Sequence, residues 1–121
     1  MEIKALAQRF SICKLADFSG LKELNGCWFM ARTDEEISLV CGEADVPPSA
    51  LVRSDGWRGF RIEGMLDFSL VGVLAKLSAV LAQSGVGIFA VSTYNTDYIL
   101  TKADDYPQAL EALKRAGYRV I

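Results

Sequence analysis

The second half of the chain repeats the first, and that constrains the fold more than any single residue does. Asp17-Phe18-Ser19 recurs fifty residues later as Asp67-Phe68-Ser69. Sixty residues separate Phe29 from Phe89, Thr33 from Thr93 and Pro47 from Pro107, with no gap between them. A ten-residue insertion between Ser69 and Phe89, absent after Ser19, accounts for the change of offset. Such a chain is one supersecondary unit duplicated, with the second copy complete and the first shortened. Two like domains create a pseudo-symmetric seam, a common place to hold small molecules.

The second copy carries the clearer pattern. Trp57 to Glu63 alternates apolar with basic or small residues and predicts a strand, with Gly64 and Asp67 turning the chain after it. Ser69 is placed to cap a helix whose apolar residues Leu70, Val73, Leu74, Leu77 and Leu81 fall on one face. Gly85 sits where a left-handed stop is wanted. Val86 to Thr93 and Asp97 to Lys102 predict two strands joined by Tyr94-Asn95-Thr96, and Asn95 tolerates the positive φ of a hairpin turn. Tyr106-Pro107 opens a second helix with Ala109, Leu110, Leu113 and Ala116 on one face. Gly117 ends it, and Tyr118 to Ile121 is the last strand.

The order β-α-β-β-α-β is the split-βαβ, ferredoxin-like arrangement. The first copy predicts strands at Phe10–Leu15, Trp28–Arg32 and Ile37–Cys41. It also predicts a short helix near Ser19–Leu24 and another after Pro47 or Pro48. Ser54-Asp55-Gly56 is the only turn-rich joint between the halves. The expected fold is therefore α+β: two ferredoxin-like units in tandem with antiparallel sheets and helices on one face. Residues 1–57 form the shortened N-terminal unit and residues 58–121 the complete one.

Composition narrows the function classes. Hydrophobic residues make up 51% of the 121 and charged residues 23%, which suits a globular core. A net charge of −2 offers no field for phosphate backbones or anionic membranes. Met1 to Phe10 has no continuous apolar stretch of the signal-peptide kind, and the apolar run around Leu70 to Leu81 is broken by Lys76 and Ser78. A cytoplasmic protein is expected. The three cysteines, Cys13, Cys27 and Cys41, are an odd number spaced fourteen apart, so they build no complete disulfide framework. Cys13 and Cys41 lie in apolar strand-like runs and read as small hydrophobes. Without a single histidine, His-based triads, Cys–His dyads and the usual zinc ligand sets are excluded. No enzyme, metal or cofactor is expected.

The order of elements, the β–α junction around Gly64 to Gly72 and the run from Ile88 to Leu100 resemble ACT domains. Ser92-Thr93-Tyr94-Asn95-Thr96-Asp97-Tyr98 is the specific part. More closely, the chain looks like tandem-ACT amino-acid sensors of the CASTOR type and their small bacterial relatives. The resemblance covers nearly the whole chain and is sharp from Gly59 to Lys102. It implies a regulatory module that binds a free amino acid at an interface between ACT units. Relatives of this kind share a regulatory domain with aspartate kinases, but this chain has no room for a kinase domain and no phosphate loop.

The chemistry of the residues fits that implication. A free amino acid presents a carboxylate beside an ammonium. The start of the Leu70 helix offers unpaired N–H groups to the carboxylate, formed by Phe68, Ser69, Leu70, Val71 and Gly72. Gly72 allows close approach of a ligand to the backbone. Asp97 can accept from the ammonium, Thr93 and Asn95 can add neutral hydrogen bonds, and Tyr94 with Phe68 can wall the side-chain pocket. Each has a blander role: Ser69 as a helix cap, Gly72 in helix–sheet packing, Asp97 in closing the hairpin, Asp67 in the turn it shares with Asp17, and Tyr98 as a sheet-face aromatic. Asp34-Glu35-Glu36 reads as a solvated hairpin tip in the place of Tyr94-Asn95-Thr96. With Ile37 in place of Asp97, the first copy cannot build an identical site, so one site per chain is expected.

Three classes compete. The favoured one is a regulatory amino-acid-binding module. A ligand-free interaction or dimerisation module on the same fold is the alternative, suited by the apolar strand Val86 to Val91. An RNA-binding module is disfavoured: Arg58-Gly59-Phe60 falls on the first strand of its unit and the charge is acidic. The expected partners are a small amino-acid ligand and either a second copy or a protein regulated in trans, with no nucleic acid and no membrane.

Overall fold

The computed structural model describes residues 1–64 and 72–121. The strands are β1 (Glu2–Leu15), β2 (Phe29–Arg32), β3 (Ile37–Gly42), β4 (Ala50–Ile62), β5 (Phe89–Ser92), β6 (Asp97–Lys102) and β7 (Arg119–Val120). The helices are α1 (Val73–Gln83) and α2 (Tyr106–Arg115). Short 3-10 turns follow β3 and β6. Contacts divide the chain into a larger unit, Met1–Ala7 with Arg58–Ile121, and a smaller one, Gln8–Trp57. No helix among the described residues is long and apolar enough to cross a membrane.

The larger unit runs β4-α1-β5-β6-α2-β7, the ferredoxin-like α+β order. Its sheet order is β1-β4-β6-β5, and β7 pairs with the start of β1 in parallel, Glu2 opposite Arg119 and Ile3 opposite Val120. The start of β1 is therefore an extra strand beyond the four that the repeat predicts. Leu77 and Leu81, one turn apart on α1, and Ala109 and Leu113 on α2 bury one face of each helix against Ile3, Phe60, Ile62 and Ile99. Each fully buried large aliphatic side chain contributes about 1.5–3 kcal/mol.

Both helices stop as the glycines predict. Gly85 and Gly117 adopt φ of +73° and +101°. The N–H of Val86 reaches the carbonyl of Leu81 at 3.0 Å, and that of Tyr118 reaches Leu113 at 3.0 Å. These are Schellman closures that satisfy the last helical carbonyls. At the other end α1 begins at Val73. The expected start at Ser69-Leu70 lies outside the described residues, and Gly72 occupies the position before the helix.

The sixty-residue offset persists in the backbone pairing. Phe29 opposes Val40 as Phe89 opposes Leu100, and Arg32 opposes Ile37 as Ser92 opposes Asp97. The tips close alike: Thr33 N–H donates to Glu36 O and Thr93 N–H to Thr96 O, both at 2.9 Å. Four-residue tips of this kind need no left-handed residue, and Asn95 has none, contrary to the expected turn. Asp34, Glu35 and Glu36 are exposed at their tip, as expected.

The smaller unit contains no α-helix; its sheet order is β2-β3-β1-β4. Cys13, Leu15, Leu39 and Cys41 form its buried cluster, with Leu21, Leu24 and Val46 against it. All three cysteines are free thiols, and burial pushes the Cys41 thiol up to about 12. The expected helix at Ser19–Leu24 is absent: two leucines three residues apart cannot offset the cost of nucleating one. Polar clamps hold this segment instead. The Gln8 amide donates to Cys27 O at 2.8 Å and accepts from Cys27 N–H at 3.0 Å. Asn25 N–H donates to Asp45 Oδ2 at 3.1 Å, and Ser19 N–H to Asp17 Oδ1 at 2.9 Å. The Asp17 turn is thus the structural feature expected of it.

The helix expected after Pro47 or Pro48 is also absent, because β4 already starts at Ala50. Ser54-Asp55-Gly56, read as a joint, lies inside this strand. Gly56 has φ of +80°, and its N–H donates to Glu43 Oε2 at 2.7 Å.

Candidate functional site

The expected site divides between the start of α1 and the β5–β6 tip. Phe68, Ser69, Leu70 and Val71 lie outside the described residues. Gly72 is exposed, with φ of +82° and no heavy atom of the other described residues within 4 Å of where a Cβ would stand. Its positive φ is a conformation that favours glycine. The helix starts at Val73, and the Lys76 N–H closes its first described turn on the Gly72 carbonyl at 2.8 Å.

At the tip, Thr93 Oγ1 donates to Thr96 O at 2.8 Å, so the Thr93 hydroxyl closes the loop. Thr33 does the corresponding work in the first hairpin, accepting from the N–H groups of Glu35 and Glu36 at 3.1 and 3.2 Å. Tyr94 and Asn95 are exposed at the apex, Tyr94 to 77%. Asp97, half-buried at the start of β6, accepts a hydrogen bond of 2.6 Å from the Ser92 hydroxyl across the ladder. A carboxylate has the capacity to accept further hydrogen bonds beside this one.

Thr96 ties the tip to the end of β4. Its side chain is buried, and its hydroxyl donates to the carbonyl of Ile62, the last residue of β4, at 2.7 Å. The tip is thereby anchored where the β4–α1 connection begins. Neither Ser92 nor Thr96 stood out as a site residue from sequence, although both belong to the Ser92–Tyr98 segment. The signal was the repeat itself: Ser92 and Thr96 stand where the first copy has Arg32 and Glu36.

Beneath the tip's strand, Tyr106 anchors α2 to the sheet. Its hydroxyl donates to Gly59 O at 2.6 Å, and burial raises its pKa above the ordinary tyrosine value. The Arg58 guanidinium stacks over the Tyr106 ring, 4.6 Å from the centroid, and donates to Leu6 O at 3.1 Å. Arg58 thus supports the fold. Tyr98 adds to the hydrogen bonding that holds Arg61 charged, after its partner Glu63.

A cleft of about 400 Å³ opens between the first turns of α1 and the end of α2, lined by Gly72, Val73, Lys76, Val80, Gly117 and Tyr118 among others. Among the described residues Gly72 is the only expected site residue on it, and the β5–β6 tip does not line it. Among the described residues no cluster of histidine, cysteine or carboxylate side chains could hold a metal ion.

Comparison with known proteins agrees with this geometry. A protein of Agobacterium tumefaciens is 27% identical over 99% of this chain and 91% of its own, with a TM-score of 0.86. A Vibrio cholerae protein of unknown function is 21% identical, with a TM-score of 0.76, covering 93% of this chain and 86% of its own. The ligand-free regulatory subunit of aspartate kinase from Thermus thermophilus shares the fold at 13% identity and a TM-score of 0.69, each chain covered to 97%. No curated protein matches. The ACT domain model matches residues 52–115, more than half of the chain, and describes a regulatory module rather than a catalytic one. With the β-α-β-β-α-β unit and its anchored hairpin, that match makes the chain a member of the ACT domain family.

Proposed function

We propose that the protein is a regulatory sensor of a free amino acid, held between the start of α1 and the Thr93–Asp97 tip. The observation that carries the reading is the Thr96 to Ile62 hydrogen bond, which anchors the tip beside the beginning of the β4–α1 connection. On this reading the α1 start, Phe68 to Gly72, receives the carboxylate and Asp97 receives the ammonium. Thr93 and Asn95 supply neutral contacts, and Tyr94 and Phe68 wall the side chain. The matching hairpin registers support a tandem arrangement of the CASTOR type, with residues 1–57 as a shortened copy and 58–121 as the complete one. Ile37 at the place of Asp97 limits the chain to one such site. The module works in the cytoplasm, as a homodimer or on a partner regulated in trans.

A thermal-shift screen against the twenty amino acids, with Asp97→Ala in parallel, tests this. A ligand at ~100 times its dissociation constant stabilises by ~2.7 kcal/mol. The expected result is a rise of several degrees confined to a few related amino acids and lost in Asp97→Ala. A cooperative melt that no amino acid moves overturns the sensor reading and leaves the alternative, a ligand-free interaction module on the same fold.

A further inference from the structure

We propose that the cleft between α1 and the end of α2 is a second binding site, for a small aliphatic carboxylate. It goes beyond the amino-acid site, because among the described residues it shares only Gly72 with it and does not use Asp97. The cleft measures about 400 Å³, within the range of small-molecule pockets. Its walls are largely apolar, with Val73 and Val80 on one side and Ala116 and the Tyr118 ring on the other.

Among the described residues two polar side chains line it, and neither the Lys76 ammonium nor the Tyr118 hydroxyl makes an ion pair or hydrogen bond with another of them. The half-buried Tyr118 has its pKa raised by desolvation, so it stays a neutral donor. Among the described residues Lys76 brings the only formal side-chain charge to the lining, and none of them lines the cleft with a carboxylate. The turn that forms the second wall begins with two further cations, Lys114 and Arg115, in a chain whose net charge is −2. An apolar body with a single anionic head matches this lining: the head meets Lys76 and the Tyr118 hydroxyl, and the chain lies between Val73 and Val80.

Isocaproate and its uncharged twin, isocaproamide, serve as probes for amide-shift titrations on the intact chain. Isocaproate is expected to shift Val73, Val80 and Tyr118, and to bind about ten- to a hundred-fold more weakly to Lys76→Met. Asp97→Ala is expected to bind it unchanged. The proposal is overturned if isocaproate causes no saturable shifts at millimolar concentration, if the amide binds as well as the acid, or if the shifts fall at Thr93 to Asp97. An amino-acid response lost in Asp97→Ala, without isocaproate binding, would overturn this inference and leave the sensor reading standing.

Discussion

Replacing Thr96 with valine tests the contact that joins the hairpin tip to β4. The two side chains have nearly the same shape, so the change removes one hydroxyl from a buried position and leaves the Ile62 carbonyl without its 2.7 Å donor. A net hydrogen bond is worth roughly 0.5–1.5 kcal/mol, and an orphaned buried acceptor costs about 1–3 kcal/mol. The added methyl group recovers part of this, leaving about 1–2 kcal/mol of destabilisation. Unfolding entropy near 2.1 cal/mol/K per residue gives roughly 0.25 kcal/mol/K for 121 residues. Tm should therefore fall by about 4–8 °C in calorimetry, with hydrogen exchange at the end of β4 accelerated. Thr96→Ser keeps the donor and loses only a methyl group, about 0.8 kcal/mol or ~3 °C. If the serine variant melts below the valine variant, the methyl group and not the hydroxyl holds the tip, and the anchoring argument fails.

Two further predictions concern stability. Burial holds the Cys41 thiol protonated up to about 12 in the fold against 9.0 ordinarily, and raises Tyr106 in the same direction. Above pH 9 the unfolded chain loses the Cys41 proton while the folded one keeps it, so stability should decline with rising pH between 9 and 12. Urea melts across that range check it, and Cys41→Ala, compared with itself at neutral pH, should show a shallower decline. Gln8→Ala deletes both bonds to the Cys27 peptide and should cost about 1–2 kcal/mol. Faster exchange of the Cys27 amide with little change at Leu77 or Leu81 would show that the clamp acts locally; an unchanged Cys27 amide would refute it.

The complete copy was legible because each signal in it agrees with the others. Leu77 and Leu81 share a helical face, Gly85 and Gly117 stop both helices, and the β-rich run Asp97–Lys102 forms β6 with Ile99 in the core. The smaller unit was less legible because it has no α-helix and so no helical period. What remains there is held by side-chain amides and carboxylates such as Gln8 and Asp45, which leave no period to read. The start of β1 escaped notice for a related reason. Lys4, Gln8 and Arg9 interrupt its alternation, and only pairing with β7 explains why Ile3 is fully buried. At the candidate site the segment was legible but the wiring was not. The charge of Asp97 marks it in the sequence, whereas the roles of Ser92 and Thr96 depend on cross-strand register and on the carbonyl of a distant residue.

The pairing of Glu2 and Ile3 with Arg119 and Val120 also sets an order of events during synthesis. At about 5–20 residues per second, the first strand waits roughly 6–20 s for its parallel neighbour to be made. During that interval Ile3 has no finished core to enter, because β6 and both helices that complete the core are translated after it. Closure of the larger unit therefore comes late, and its slowest contacts span almost the full length of the chain. A nascent protein stalled before residue 119 should remain open to proteases at its first strand, however well its second hairpin has formed.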